Sequence, residues 1–139
     1  MTKRNNILAA VLAVAAPLTI AAPALAHHSF AMFDQKKVMT LQGTVTEFQW
    51  TNPHAFIEID VPTNGKIVHW SIELNSPNNL KRQGWSRASL KTGDKISLRM
   101  NPLRDGKKGG LFLDLKKADG KVLDSGLPKN GTPINVPQV

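Results

Sequence analysis

The chain has 139 residues, with 18 Lys and Arg against 10 Asp and Glu, and a formal charge of +8. It has no cysteine, which excludes disulfide staples, thiolate metal sites and thiol chemistry, and it has no tyrosine. A basic chain of this size suits an anionic partner, but its basic residues are scattered rather than gathered in a run.

Residues 1–26 read as a cleaved export signal. Lys3 and Arg4 form the positive lead, and Ile7 to Ala22 is apolar apart from Pro17 and Thr19. Ala24-Leu25-Ala26 is a cleavage signature, with Ala22-Pro23-Ala24 as a competing one. The apolar run is short for a membrane span, and Pro17 and Pro23 interrupt it. Cutting after Ala26 removes 26 of the 139 residues and leaves 113, enough for one core. The expected location is therefore periplasmic or secreted, with no transmembrane segment after cleavage.

The mature chain opens with His27-His28-Ser29-Phe30, where Phe30, Met32 and Phe33 are placed to pin the segment to the core. Val38 to Trp50 alternates apolar and polar residues and predicts a long strand, with a bulge or bend at Gly43. After Thr51-Asn52-Pro53, Ala55, Ile57, Ile59 and Val61 face inward on a second strand. Asn64-Gly65 signals a hairpin, and Val68, Trp70, Ile72 and Leu74 face inward on a third. Ser76-Pro77-Asn78 starts a short helix with a capping residue and a proline at the first turn. Ile96, Leu98 and Met100 mark a fourth strand. Arg104 to Gly110 is a basic loop, and Leu111, Leu113 and Leu115 mark a fifth strand. Residues 124–139 are rich in Pro, Gly and Asn, without periodicity, and read as a tail.

Three strands, a short helix and two further strands is the order of a five-stranded Greek-key OB barrel. The expectation is an all-β domain over residues 27–123, with one short helix and an OB-like barrel; a small open sandwich is the rival. A barrel also hides the edges that a small sheet would expose.

The candidate chemistry lies with histidine. If the mature chain begins at His27, its α-amine and ring close on one metal ion, and one further imidazole completes a three-nitrogen histidine brace. Nitrogen-rich tetragonal sites favour copper. His54, outward at the start of the second strand, is the candidate partner; His28 and Glu73 are second choices. Two hairpin registers keep the faces matched. A two-residue turn puts His69 opposite Asp60 and Glu73 opposite Phe56, which separates Glu73 from His54. A four-residue loop puts Glu73 opposite His54, where it ligates metal or orients the ring. His69 reads as an ordinary solvated strand residue.

The segments His27-His28-Ser29-Phe30, Trp50-Thr51-Asn52-Pro53-His54, Trp70-Ser71-Ile72-Glu73-Leu74, Ser76-Pro77-Asn78, Arg82-Gln83-Gly84-Trp85 and Lys91-Thr92-Gly93-Asp94-Lys95 resemble a family of small exported bacterial proteins classed as a domain of unknown function. The resemblance runs from about Ala26 to Val122. It implies an exported, compact β protein and no established activity, and it gives weight to His27, His28, His54, Trp70 and Glu73.

Three functions follow. The first is a periplasmic copper-binding protein for metal handling, not an enzyme. A brace copper oxidase is the second, disfavoured by the small surface and the missing tyrosine. The third is a metal-free binding module for an anionic lipid, glycan or protein partner, met by basic residues such as Arg82, Arg87, Arg104, Lys107 and Lys108. Nucleic acid is not expected on the second and third strands, because Glu58, Asp60 and Glu73 repel phosphate. Ser29, Ser71 and Ser76 lack a nucleophile-elbow context, so hydrolase chemistry finds no support.

Overall fold

The computed structural model describes residues 30–126. Its strands are β1 (Met39–Gln49), β2 (Phe56–Thr63), β3 (Lys66–Glu73), β4 (Lys95–Pro102), β5 (Gly109–Lys117) and β6 (Val122–Asp124), with one helix, α1 (Pro77–Arg82). The hydrogen-bonded order is β3-β2-β1-β4-β5-β6, and a parallel pairing of β3 with β5 closes the first five strands into a ring. That is the expected OB-like barrel. The addition is β6, three residues pairing with the end of β5, too short to show a period of two.

Alternation explains the core. Ala55, Ile57, Ile59 and Val61 from β2 and its lead-in meet Trp70 and Ile72 from β3 and Leu74 just after it. Asn64 and Gly65 both take positive φ, so a two-residue turn joins β2 to β3 and pairs Thr63 with Lys66. Ser76 caps α1, accepting from the Asn79 amide, with Pro77 in the first turn. Trp85 follows the helix, 2% exposed, and packs edge-on against Phe112.

Four expectations are corrected. The bulge in β1 lies between Val45 and Glu47, not at Gly43. Gly43 serves a close approach instead: a Cβ there would sit 2.6 Å from the Asp60 carbonyl oxygen. On β5, Phe112 rather than Leu113 enters the core, because a bulge between Arg99 and Met100 shifts the register. Gly109 and Gly110 belong to β5 rather than to the basic loop. In the N-terminal segment only Phe33 is buried, through a bridge to Leu103; Phe30 and Met32 are exposed. The segment is fixed through its backbone instead. The Arg104 amide donates to the Met32 carbonyl, its Nε donates to the Ala31 carbonyl, and the Asp34 amide donates to the Pro102 carbonyl.

No helix among the described residues is long and apolar enough to cross a membrane.

Candidate functional site

The outer face of β2 and β3 holds the candidate residues that the structure describes. The register is the one set by the two-residue turn: Glu73 is opposite Phe56 and His69 is opposite Asp60. Sequence reasoning separates Glu73 from His54 in this register. The structure brings them together, with His54 Nδ1 2.8 Å from Glu73 Oε1. His54 lies two residues before Phe56 on the same face, so it is the diagonal neighbour of Glu73, within reach of a long side chain. The Ala55 amide donates to the Asn75 carbonyl and the Leu74 amide to the Ala55 carbonyl, extending the pairing beyond both strands. Thr51 Oγ1 donates to the His54 carbonyl oxygen across the turn that delivers the ring.

His54 and Glu73 are both half-buried, with side chains 28% and 12% exposed. A carboxylate at Nδ1 holds the proton on that nitrogen and orients the ring, so a bond from His54 to a metal would be made by Nε2. His27 and His28 lie outside the described residues. Among the described residues no group of three or more His, Asp or Glu is arranged to hold a metal ion.

The second histidine of this face departs from expectation. His69 is not merely solvated: its Nδ1 is 2.9 Å from Asp60 Oδ1 and its Nε2 is 3.0 Å from Glu58 Oε2. Ser71 Oγ donates to Glu58 Oε1 at 2.8 Å. Both ring nitrogens therefore meet carboxylates, an arrangement satisfied in full only by the imidazolium. The bond to Asp60 is the main cause that raises the His69 pKa above the ordinary 6.5; partial burial opposes it and Glu58 adds to it. The two-residue turn was the signal, since that register alone sets His69 opposite Asp60.

A raised folded pKa contributes stability that is complete below pH 6.5 and is lost as pH rises through the folded value. We expect the wild type to lose more thermal stability than His69→Gln between pH 6 and pH 8. Equal losses would show that the ring adds no pH-linked stability, and a proton NMR titration of His69 gives the pKa directly. The ring is more than half exposed, so solvent keeps the effect small.

Trp70, to which the family resemblance gives weight, is a buried structural residue that carries Lys108 Nζ at 5.2 Å from its ring centroid; Trp50 is also buried and Phe56 is half-buried.

Among solved structures, the chain is similar to the mitochondrial single-stranded DNA binding protein Rim1 of S. cerevisiae, with 15% identity and a TM-score of 0.44, over 65% of this chain and 97% of that one. A comparison with curated proteins finds no match. A sequence family matches residues 16–114, a span that takes in His27, His28, the His54–Glu73 pair and most of the barrel, and on that match the chain belongs to the family of unknown function DUF6152.

Proposed function

We propose that the protein is exported, that cleavage after Ala26 exposes His27, and that the mature protein binds one copper ion for handling rather than turnover. The α-amine and ring of His27 and the Nε2 of His54 form the nitrogen set, Glu73 orients His54, and His28 is the reserve ligand.

The observation that carries this reading is the 2.8 Å contact between Glu73 and His54 Nδ1. Carboxylates bound to the far nitrogen of a metal-ligating histidine fix its tautomer and raise its basicity. The anchoring of the N-terminal segment supports the same reading. Phe33 bridges to Leu103, the Leu103 amide donates to the Gly109 carbonyl, and Gly109 pairs with Ser71, two residues before Glu73. His27 is three residues ahead of Phe30, a tether of about 10 Å when extended.

The test is a Cu(II) titration followed by electron paramagnetic resonance on protein exported and cleaved by its host, with intact mass fixing the first residue. A mass beginning at His27 and a one-equivalent, nitrogen-rich signal are expected. His54→Ala, and one extra residue before His27, should each reduce the affinity sharply. Glu73→Gln should cost about 10- to 100-fold, the usual effect of losing such an orienting partner. Unchanged affinity in the first two variants rejects the brace.

A further inference from the structure

The barrel leaves part of one strand edge open. β3 pairs with β5 only through Ser71, Ile72 and Glu73. From Lys66 to Trp70 its sole strand partner is β2. Antiparallel pairs alternate between those that exchange backbone hydrogen bonds and those that do not. The tight turn makes Thr63 and Lys66 a bonded pair, so Val68 and Trp70 also bond to β2 while Ile67, His69 and Ser71 point the other way. Ser71 confirms the phase, because its amide donates to the Lys108 carbonyl across the edge. Among the described residues, the backbone groups of Ile67 and His69 meet no partner. They form two donor–acceptor sets spaced two residues apart. Natural sheets blunt such edges or use them to add a strand.

The surroundings select the occupant. Ile67 is 63% exposed, the most exposed of the large apolar side chains among the described residues. Lys66 lies at the hairpin end of the open edge, and Lys107 and Lys108 lie at the other, in the loop that meets Ser71. All three lysines are exposed. Lys107 has an acidic neighbour in Asp105, at 3.3 Å. Asp60 and Glu58 are on β2, on the far side of His69, and both bond to that ring. A strand added beside Ile67 and His69 would therefore meet lysines at both ends, and along its side two carboxylates that share the His69 ring and keep a single net negative charge against those three lysines. The basic body of the molecule would steer an acidic partner toward it.

We propose that the open edge of β3, at Ile67 and His69, is a docking site for an extended acidic peptide segment, which adds as a strand and sets its carboxylates against Lys66, Lys107 and Lys108. The backbone supplies the pairing, Ile67 an apolar contact, and the lysines the choice of charge.

The experiment uses the isotope-labelled protein with a soluble peptide of alternating Glu and Val, its Lys–Val counterpart, and an N-methylated Glu–Val peptide that cannot pair. The Glu–Val peptide is expected to slow amide exchange at Ile67 and His69 and to bind at least about tenfold more tightly than either control, the equivalent of one or two hydrogen bonds. Ile67→Pro removes only a donor that faces away from β2, which an edge strand tolerates. It should keep the melting temperature and weaken the Glu–Val peptide about tenfold. Lys66→Glu combined with Lys108→Glu should reverse the preference toward the Lys–Val peptide, and it decides the matter should Ile67→Pro unfold. Protection at other amides, equal binding of the two charged peptides, or an unweakened Ile67→Pro would overturn the proposal. Protection of Ile67 and His69 that grows with protein concentration in the absence of peptide would assign the edge to a second copy and overturn the peptide assignment.

Discussion

Phe112→Ala is expected to destabilise the domain by about 3–5 kcal/mol, the usual cost of emptying a large aromatic site in a packed core. Phe112 is 1% exposed, its ring lies edge-on to Trp85 at 5.5 Å between centroids, and Trp85 in turn contacts Phe48. The Trp85 indole N–H donates to the Asp124 carbonyl oxygen, so the same cluster also holds β6. Total stabilities of about 5–15 kcal/mol make this loss enough to leave the variant marginal. Urea unfolding followed by tryptophan emission gives the value. Leu113→Ala is the informative control, because simple alternation along β5 assigns Leu113 to the core and Phe112 to the surface. The half-buried Leu113 should cost well under half as much. A larger loss for Leu113→Ala than for Phe112→Ala would refute the shifted register.

The second large effect is expected at Asp114. Its carboxylate is 5% exposed and accepts from Arg99 through two bonds, Nε to Oδ1 at 2.8 Å and Nη2 to Oδ2. Asp114 also raises the pKa of Arg99, so the guanidinium stays charged at any accessible pH. Asp114→Ala takes the carboxylate from a cation that is only 15% exposed, and breaking such a pair on one side costs about 3–5 kcal/mol. Replacing both partners with apolar residues, as in Arg99→Met with Asp114→Leu, should recover most of that loss, because the charge to be solvated is gone. Thermal unfolding of the single and double variants decides between these outcomes. If Asp114→Ala costs under about 1 kcal/mol, the pair behaves like a surface ion pair instead.

Much of the barrel can be read from the residues themselves. Ile57, Ile59, Trp70, Ile72 and Leu98 alternate with polar neighbours and enter the core as that pattern predicts, and Ser76 with Pro77 starts the helix. The misreadings fall where alternation breaks. A bulge inserts one residue and reverses the faces beyond it, which moves Phe112 inward and leaves Leu113 half-buried. Nothing in Leu111 to Lys116 marks that insertion, since apolar residues occupy both frames. Phe30 and Met32 look like anchors by composition, yet the segment is held by Arg104 and Pro102 through backbone bonds, which side-chain patterns do not report. At the candidate site, Glu73 and His54 meet in the register that face-to-face counting excludes, because a glutamate spans the diagonal. The clamp on His69 follows from the same turn, since that register alone sets Asp60 across from it.

The short β3–β5 seam has a consequence for the order of assembly. It consists of three residue pairs, and it joins segments separated by about forty residues of chain, a distant contact of the kind that slows folding. The first three strands can form a local meander, but the ring cannot close until β5 is available, and β5 also brings Phe112 and Leu115 to the core. A chain truncated before Gly109 would lack Phe112 and Leu115 from its core and would leave the facing edges of β3 and β4 unpaired. If the export proposed here passes the chain across a membrane unfolded, dependence on a late strand would delay compaction until nearly the whole domain has passed through.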